Sequence, residues 1–401
     1  VVSGECGKDG SSVTWTYNMS EHVLSISGNG EMQDYGNSGN GNAPWFDYRG
    51  QVEKIQISEG ITYLGEAAFY EFSSITDVVL PSGLKKMGVA AFANCYNLSR
   101  VTLNDNLQIL PDYVFQNTRL TDIAIGKNVQ QISNLAFFNC LIESISVAEE
   151  NSKYVSRDGI LYTRDLKTLC LYPAGRETSL FKVPDTVVTL GDYCMRNARI
   201  QEIYIPSSVK AIGEASLMRS SIQSLTVPNS VQEIGDWVAT ECSNLVKVVI
   251  GDGVSKIGYQ AFQDCYNLKD IRLGTGLKEI DYQAFAYCSA LTEISVPEGI
   301  TEIRNGTFGE CTSLAKVNLP ASLKEIWYQA FFNCSALVTI SLPSDIEQIN
   351  RYAFYGTSIG RVQIPETVNY IGDHAFPENT QLVFVSKLQQ TENGSYIKGA
   401  L

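Results

Sequence analysis

Ile257-Gly258-Tyr259-Gln260-Ala261-Phe262-Gln263-Asp264-Cys265-Tyr266-Asn267-Leu268-Lys269-Asp270-Ile271-Arg272-Leu273 recurs along the chain with small changes, and its spacing decides the fold. Phe262 is followed by Phe285, Phe308, Phe331, Phe354 and Phe376 at steps of 23, 23, 23, 23 and 22. Upstream, Phe69, Phe92, Phe115 and Phe137 are spaced 23, 23 and 22 apart. Met195, Leu217 and Ala239 hold the same slot, because Leu190-Gly191, Ile212-Gly213 and Ile234-Gly235 precede them as Ile257-Gly258 precedes Phe262. Thirteen anchors at a near-constant period describe a stacked array, although a chain of 401 residues would otherwise suggest two or three domains.

Each copy but the last carries a Leu-x-x-Ile-x-Leu signal, as in Leu98/Val101/Leu103, Leu291/Ile294/Val296 and Leu337/Ile340/Leu342. The alternation of its last positions predicts a half-buried strand. Pro81, Pro206, Pro228, Pro297, Pro320, Pro343 and Pro365 follow such strands and stop them, since proline gives the ladder no N–H. The Ala-Phe segment is too short for a full helix and reads as a helical or 3₁₀ turn that drops Phe into the core. No single copy can bury its own apolar residues, so stability comes from stacking. The fold expected is a solenoid with a curved parallel sheet, about 65 Å along the stack at the usual strand spacing. The 22-residue copies are shortened only in the turn before the strand, as at Asn117-Thr118-Arg119-Leu120 and Gly356-Thr357-Ser358-Ile359, where the inward register is not disturbed.

Three segments break the period. Between Phe137 and Met195 lie 58 residues, which leaves an insertion at about 149–180. Its apolar runs around Asp158-Gly159 and Arg164-Asp165 predict one or two β-hairpins bulging from the array, either a tolerated surface insertion or a ligand-binding projection. Residues 1–50 contain two strand-like runs, Val13–Tyr17 and Val23–Ser27, a flexible Gly/Asn loop from Gly36 to Asn42, and Pro44-Trp45-Phe46. They are read as a cap over the first coil. The array proper is then 51–390, fading where Lys387 takes an apolar slot, and 391–401 is expected to be a polar, loosely held tail.

The motif Ile-Gly-x-x-Ala-Phe-x-x-Cys-x-x-Leu-x-x-Ile-x-Leu-Pro resembles that of the BspA-like, Treponema-type leucine-rich repeat proteins, and residues 61–385 carry it. Gly4-Glu5-Cys6-Gly7, Trp15, Leu24–Gly28 and Pro44-Trp45 are similar to the entry segment of such proteins. The insert around Asp158–Tyr162 and Tyr172-Pro173 also resembles one seen in the family. The resemblance implies a leucine-rich repeat solenoid of about 13 repeats of 22–23 residues. It implies a secreted or surface-attached bacterial protein, some relatives being adhesins for host or matrix proteins. It implies no catalytic residues, because the motif consists of core positions.

The remaining chemistry is sparse. Thirty basic against 43 acidic residues give a net charge of −13, which argues against nucleic acid or an anionic membrane as partner. No apolar run is long enough to insert in a bilayer as a helix. Seven of the ten cysteines (Cys95, Cys140, Cys242, Cys265, Cys288, Cys311 and Cys334) lie three residues after an anchor, where other copies hold Thr118, Ala198, Ser220 or Thr357. A slot that selects small residues predicts a buried thiol column, and stacked side chains pointing one way cannot pair. Cys6, Cys170 and Cys194 lie outside it, and one bridge among them stays open. Ala239 should leave space that Trp237 fills. No Cys-x-x-Cys, phosphate loop or metalloprotease motif occurs, so neither a metal nor a cofactor is expected. His22 and His374, the only histidines, sit near opposite ends of the array, and Ser207-Ser208-Val209-Lys210 falls in an ordinary post-strand loop.

The outward strand positions are the better place for a ligand. Tyr204, Lys247 and Arg272 have the side chains most suited to anchoring a partner, with Asn318, Lys316 and Arg361 in equivalent slots. The expected function is a non-catalytic, monomeric protein outside the cell or on the bacterial surface that binds a protein or glycan there. A spacer module of a larger surface protein is the second reading and an enzyme the third. No signal peptide is visible in the sequence.

Overall fold

The computed structural model describes residues 1–36, 43–385 and 388–398. All but Gly36 of the Gly/Asn loop therefore lies outside the described residues, as does Lys387. The chain forms two compact units, Val1–Glu177 and Thr178–Leu401. Both are built from the same coil, and with Trp45 serving as one more anchor the solenoid has about fourteen turns.

One coil shows how the sequence makes the structure. Its outward strand, Asp270–Arg272, pairs in parallel with Lys247–Ile250, so Lys247 lies opposite Asp270 and Val249 opposite Arg272. A second, two-residue strand, Glu279–Ile280, pairs with Lys256–Ile257. Between successive strands the chain rounds a corner through three consecutive turns, in which Ala284, Ala286 and Cys288 donate to the carbonyls of Asp281, Gln283 and Phe285. The Ala-Phe segment is therefore not the helical or 3₁₀ turn expected. The sole 3₁₀ helix among the described residues is Phe46–Tyr48.

These corners require left-handed backbone two residues before and two residues after the anchor. Gln260 (φ 51°), Asp264 (59°), Gln283 (55°), Tyr287 (62°) and Gly306 (63°) show the pattern. A non-glycine residue there costs about 1 kcal/mol. Stacking holds it in place: the N–H groups of Gln260, Phe262 and Asp264 donate to the carbonyls of Tyr282, Ala284 and Ala286 in the next coil, at 3.0, 2.8 and 3.0 Å. Side chains reinforce this, with Trp237 Nε1 donating to Gln260 Oε1 and Gln260 Nε2 to Gln283 Oε1, both at 2.7 Å.

Inside the first unit the rings of Trp45, Phe69, Phe92, Phe115 and Phe137 form a column with centroids 5.1–6.0 Å apart and planes within 21°. Trp45 heads it, and its indole N–H donates to the Ala68 carbonyl at 2.8 Å. The cap sheet runs antiparallel through Val2–Glu5, Thr14–Asn18 and Val23–Ser27 and then pairs in parallel with Lys54–Ile57. The insertion forms an antiparallel meander, Tyr154–Arg157, Ile160–Thr163 and Thr168–Leu171. It does not bulge: Leu161, Tyr162, Leu169 and Tyr172 are buried, Tyr154 and Leu171 pack on the core, and the Ile145 N–H donates to Gly159 O at 2.9 Å.

In the second unit, Phe262, Phe285, Phe308, Phe331, Phe354 and Phe376 stack at 5.0–5.6 Å with planes within 13°. Such pairs contribute about 0.5–1.5 kcal/mol beyond burial. Met195, Leu217 and Ala239 are fully buried in the same slot. Trp237 does not fill the space beside Ala239 as expected. It lies half-buried at a left-handed corner position (φ 52°), edge-on to Tyr259. Residues 339–341, within one of the clearest strand signals, make no strand. The end of the chain is not a loose tail up to Lys398: Leu388–Gln390 and Tyr396–Lys398 form a hairpin that pairs antiparallel with Tyr370–Ile371.

Candidate ligand-binding surface

Lys247, Asp270, Glu293 and Lys316 stand at the same position of successive outward strands, and Arg272, Ser295 and Asn318 follow two residues later. Parallel pairing in register joins Lys247 to Asp270 and, in a separate ladder, Glu293 to Lys316, and strand alternation turns these side chains to the face opposite the core. A shallow depression of ≈ 430 Å³ opens on this face, lined by Lys247, Lys269, Asp270, Arg272, Glu293 and Ser295. Its cations are unequally engaged. Arg272 reaches Asp252 Oδ1 at 3.5 Å with its side chain still 64% exposed. Lys247 and Lys269 have no carboxylate within ion-pair distance among the described residues.

The other expected anchors are placed differently. Lys316 Nζ lies 2.5 Å from Glu293 Oε1, and Asn318 Nδ2 donates to Ser295 Oγ at 2.8 Å and Glu293 Oε1 at 3.3 Å. The Lys316 ammonium holds the Glu293 carboxyl below its usual range. Asp252 is lowered too, first by the backbone N–H of Thr275 and then by Arg272. Tyr204 is 56% exposed on Arg199–Tyr204, two strand pairings from Lys247. Arg361 is exposed on Arg361–Ile364, outside the depression. The structure thus brings Lys247 and Arg272 together and leaves Tyr204 and Arg361 apart. Sequence reasoning missed Lys269, which precedes the strand and faces the same depression.

The thiols are a core feature. Cys95, Cys140, Cys242, Cys265, Cys288, Cys311 and Cys334 each point a sulfur at the carbonyl of the preceding anchor, 2.9–3.3 Å away. Burial pushes Cys95 and Cys311 up to about 12 and Cys242 to about 11, far from the range of a reactive thiolate. All ten cysteines are thiols, so the bridge left open among Cys6, Cys170 and Cys194 is not made.

The two histidines belong to different units. His22 Nδ1 lies 3.5 Å from Tyr17 Oη in the cap. His374 Nδ1 is 2.6 Å from Asp373 Oδ1 beside a recess of ≈ 420 Å³. Thr380, the hydroxyl nearest to suiting a nucleophile in that recess, donates instead to Ile359 O at 2.6 Å. No hydroxyl or thiol is hydrogen-bonded to the His374 imidazole among the described residues, so the geometry is not that of a nucleophile–base pair. The described residues also contain no cluster of His, Cys, Asp or Glu able to hold a metal ion, and no helix long and apolar enough to cross a membrane.

The sequence profile described as BspA type leucine rich repeat region (6 copies) matches residues 42–158, 174–292 and 278–395. The chain belongs to this family. Among solved structures it is similar to a leucine-rich repeat protein of Eubacterium ventriosum, with 23% identity, a TM-score of 0.69 and coverage of 99% of this chain and 100% of that one. It is also similar to the pneumococcal vaccine antigen PcpA, with 17% identity, a TM-score of 0.53 and coverage of 89% and 77%. A leucine-rich cell surface protein of Faecalibacterium prausnitzii matches at 22% identity over 79% and 95% with a TM-score of 0.48. No curated protein matches the chain.

Proposed function

We propose that this chain is a non-catalytic recognition protein of the bacterial surface that binds an acidic patch of a partner protein on its outward strand face. The depression around Lys247, Lys269 and Arg272 carries the reading. In a chain of net charge −13, it gathers three cations of which two have no carboxylate partner among the described residues. Such a patch steers an oppositely charged surface, whose carboxylates offset the cost of desolvating the cations when it docks. The family, and the printed description of a vaccine antigen among similar structures, support a surface location.

The test is a binding screen of the full chain against host-surface and matrix proteins, repeated with the Lys247→Glu/Arg272→Glu double variant. The expected result is a partner whose binding falls at least tenfold and weakens with salt, with an unchanged circular dichroism melt. A double variant that binds every partner normally removes this face from consideration. Antibody labelling of intact producing cells tests the location, and signal only after lysis overturns it.

A further inference from the structure

The last corner of the second unit differs from the earlier corners of that unit in two ways. Its side chains form a contiguous aromatic cluster. Tyr352 touches Tyr328, Tyr355 and His374 at 6.1, 5.3 and 5.6 Å between centroids, and Tyr355 stacks on Phe332 at 5.7 Å. Tyr328 and Tyr355 are 42% and 39% exposed. The repeat does not need rings in these slots. Where Tyr355 stands, other copies hold Thr240, Gln263, Ala286 or Gly309, and where Tyr352 and His374 stand, Ala215, Gln283 or Gly306. Tyr352 and His374 also occupy left-handed backbone, at φ 58° and 51°, which does not favour bulky side chains. None of the other exposed tyrosines of this unit, Tyr204, Tyr266, Tyr282 and Tyr287, touches another ring among the described residues.

The second difference is in the backbone. In each coil from Phe262 to Phe354 the anchor N–H, and that of the residue two before it, donate to the next coil. At the Phe376 coil the N–H groups of His374 and Phe376 find no acceptor among the described residues. Both residues line the ≈ 420 Å³ recess, together with Asp373, Glu378 and Tyr396. His374 and Asp373 thus belong to the recess and border the ring cluster at once.

We infer that this corner is a carbohydrate site, taking a neutral pyranose oligosaccharide whose ring face lies on Tyr355 and whose hydroxyls fill the recess. A sugar needs an aromatic face for its C–H groups, donors for its oxygens and acceptors for its hydroxyl protons. The corner supplies exposed rings, two main-chain N–H groups with no acceptor among the described residues, the carboxylate of Glu378 and the lone pairs that Asp373 keeps beside His374 and Arg351. Arg351 offsets the charge of Asp373, and the Glu378 carboxylate disfavours an acidic sugar. A protein hot spot would want an apolar centre sealed from water, whereas the flanks here are Arg351, Asp373, His374 and Glu378. The site is separate from the strand face around Lys247 and does not depend on it.

The test uses the full chain against cellohexaose, maltohexaose, chitohexaose and a printed array of neutral and acidic glycans, read by saturation-transfer NMR and array fluorescence. A neutral glycan should bind with a Kd of roughly 0.1–1 mM. Binding should fall at least ~10-fold in Tyr355→Ala and in Asp373→Asn, and stay unchanged in Arg272→Glu. Should Tyr355→Ala fold poorly, Asp373→Asn and hydrogen exchange on the wild type decide: the bound glycan should slow exchange of peptides spanning 372–378. Absence of neutral-glycan binding overturns the inference. So does binding indifferent to both variants, exchange protection elsewhere, or a preference for acidic glycans or extended peptides.

Discussion

The thiol of Cys311 donates to the carbonyl oxygen of Phe285, 3.2 Å away and one coil back. The anchor carbonyl sits on a corner where its own coil provides one turn bond, and the thiol of the next coil fills the remaining lone pair. Thr118 and Thr357 occupy the same slot but turn their hydroxyls to the anchor of their own coil, Phe115 and Phe354, at 2.9 and 2.8 Å. The slot therefore takes small side chains, most of them with a donor, Ala198 being the exception. Cysteine is the one of them that also behaves as a hydrophobe.

The thiol column should be chemically silent. With Cys95 and Cys311 pushed up to about 12, the thiolate fraction at pH 8 is on the order of one in ten thousand. Ellman's reagent should leave the seven column thiols unmodified in the native protein at pH 8 and titrate them only in guanidinium. In the unfolded chain these thiols ionise near their ordinary value, so the unfolded state loses protons first and stability should fall as pH rises above about 8.5. Rapid native labelling of seven thiols would refute the buried arrangement.

Glycine should be the favoured residue at both of two equivalent corners. Ala90 holds φ 57° with a methyl group, and Ala90→Gly should raise stability by up to about 1 kcal/mol in urea unfolding. Gly306 holds φ 63°, and a Cβ there would meet Gln283 Cγ at 3.0 Å. Gly306→Ala should lower stability by about 1 kcal/mol or more. Equal effects of the two substitutions would mean that the corners are not under backbone strain.

Glu325 lies directly opposite Glu302 in the short-strand ladder. Partial burial raises its pKa, and the charges of Glu302 and Glu347 raise it further. A carboxyl raised on folding destabilises the native state at neutral pH, and stability is regained as pH falls through its folded value. Glu325→Gln should therefore stabilise by about 0.2–1 kcal/mol at pH 7. The gain should shrink as pH falls through the raised folded value and be gone below about pH 4, where the carboxyl is largely protonated in both states. A pH-independent difference in melting temperature would contradict this origin.

The period was legible because the core slots tolerate few residues: Phe262, Leu268 and Ile271 must point inward in every copy. The corners were not. Gln260 and Trp237, two residues before their anchors, carry no turn signature, and hydrogen bonds to the neighbouring coil, invisible to local propensity, impose their backbone. Trp237 was misplaced for that reason. Two residues after the anchor, Asp264 with Asn94, Asn117, Asn333 and Gly356 did carry a left-handed signal that went unread. Trp45 was missed as an anchor because it precedes Phe69 by 24 residues and lacks the usual preceding Ile-Gly. On the strand face the rows of side chains could be written down in advance. That Lys316 is neutralised by Glu293 follows from their 23-residue separation, a lateral pairing that reading each slot alone does not reveal. Lys269 escaped because it lies before the strand. The hairpin at Leu388–Lys398 escaped because its polar residues give no inward pattern.

The main-chain bonds between corners involve only N–H and C=O groups at fixed offsets from the anchor, whatever the side chains. A coil with Leu217 or Ala239 at its centre can therefore abut one with Phe262 as readily as Phe285 abuts Phe308. Gene segments encoding whole coils can be duplicated, lost or shuffled while the joint between neighbours stays the same. Such a lineage can lengthen its display surface, or place a new outward residue at a chosen distance from an old one, without having to invent a new core.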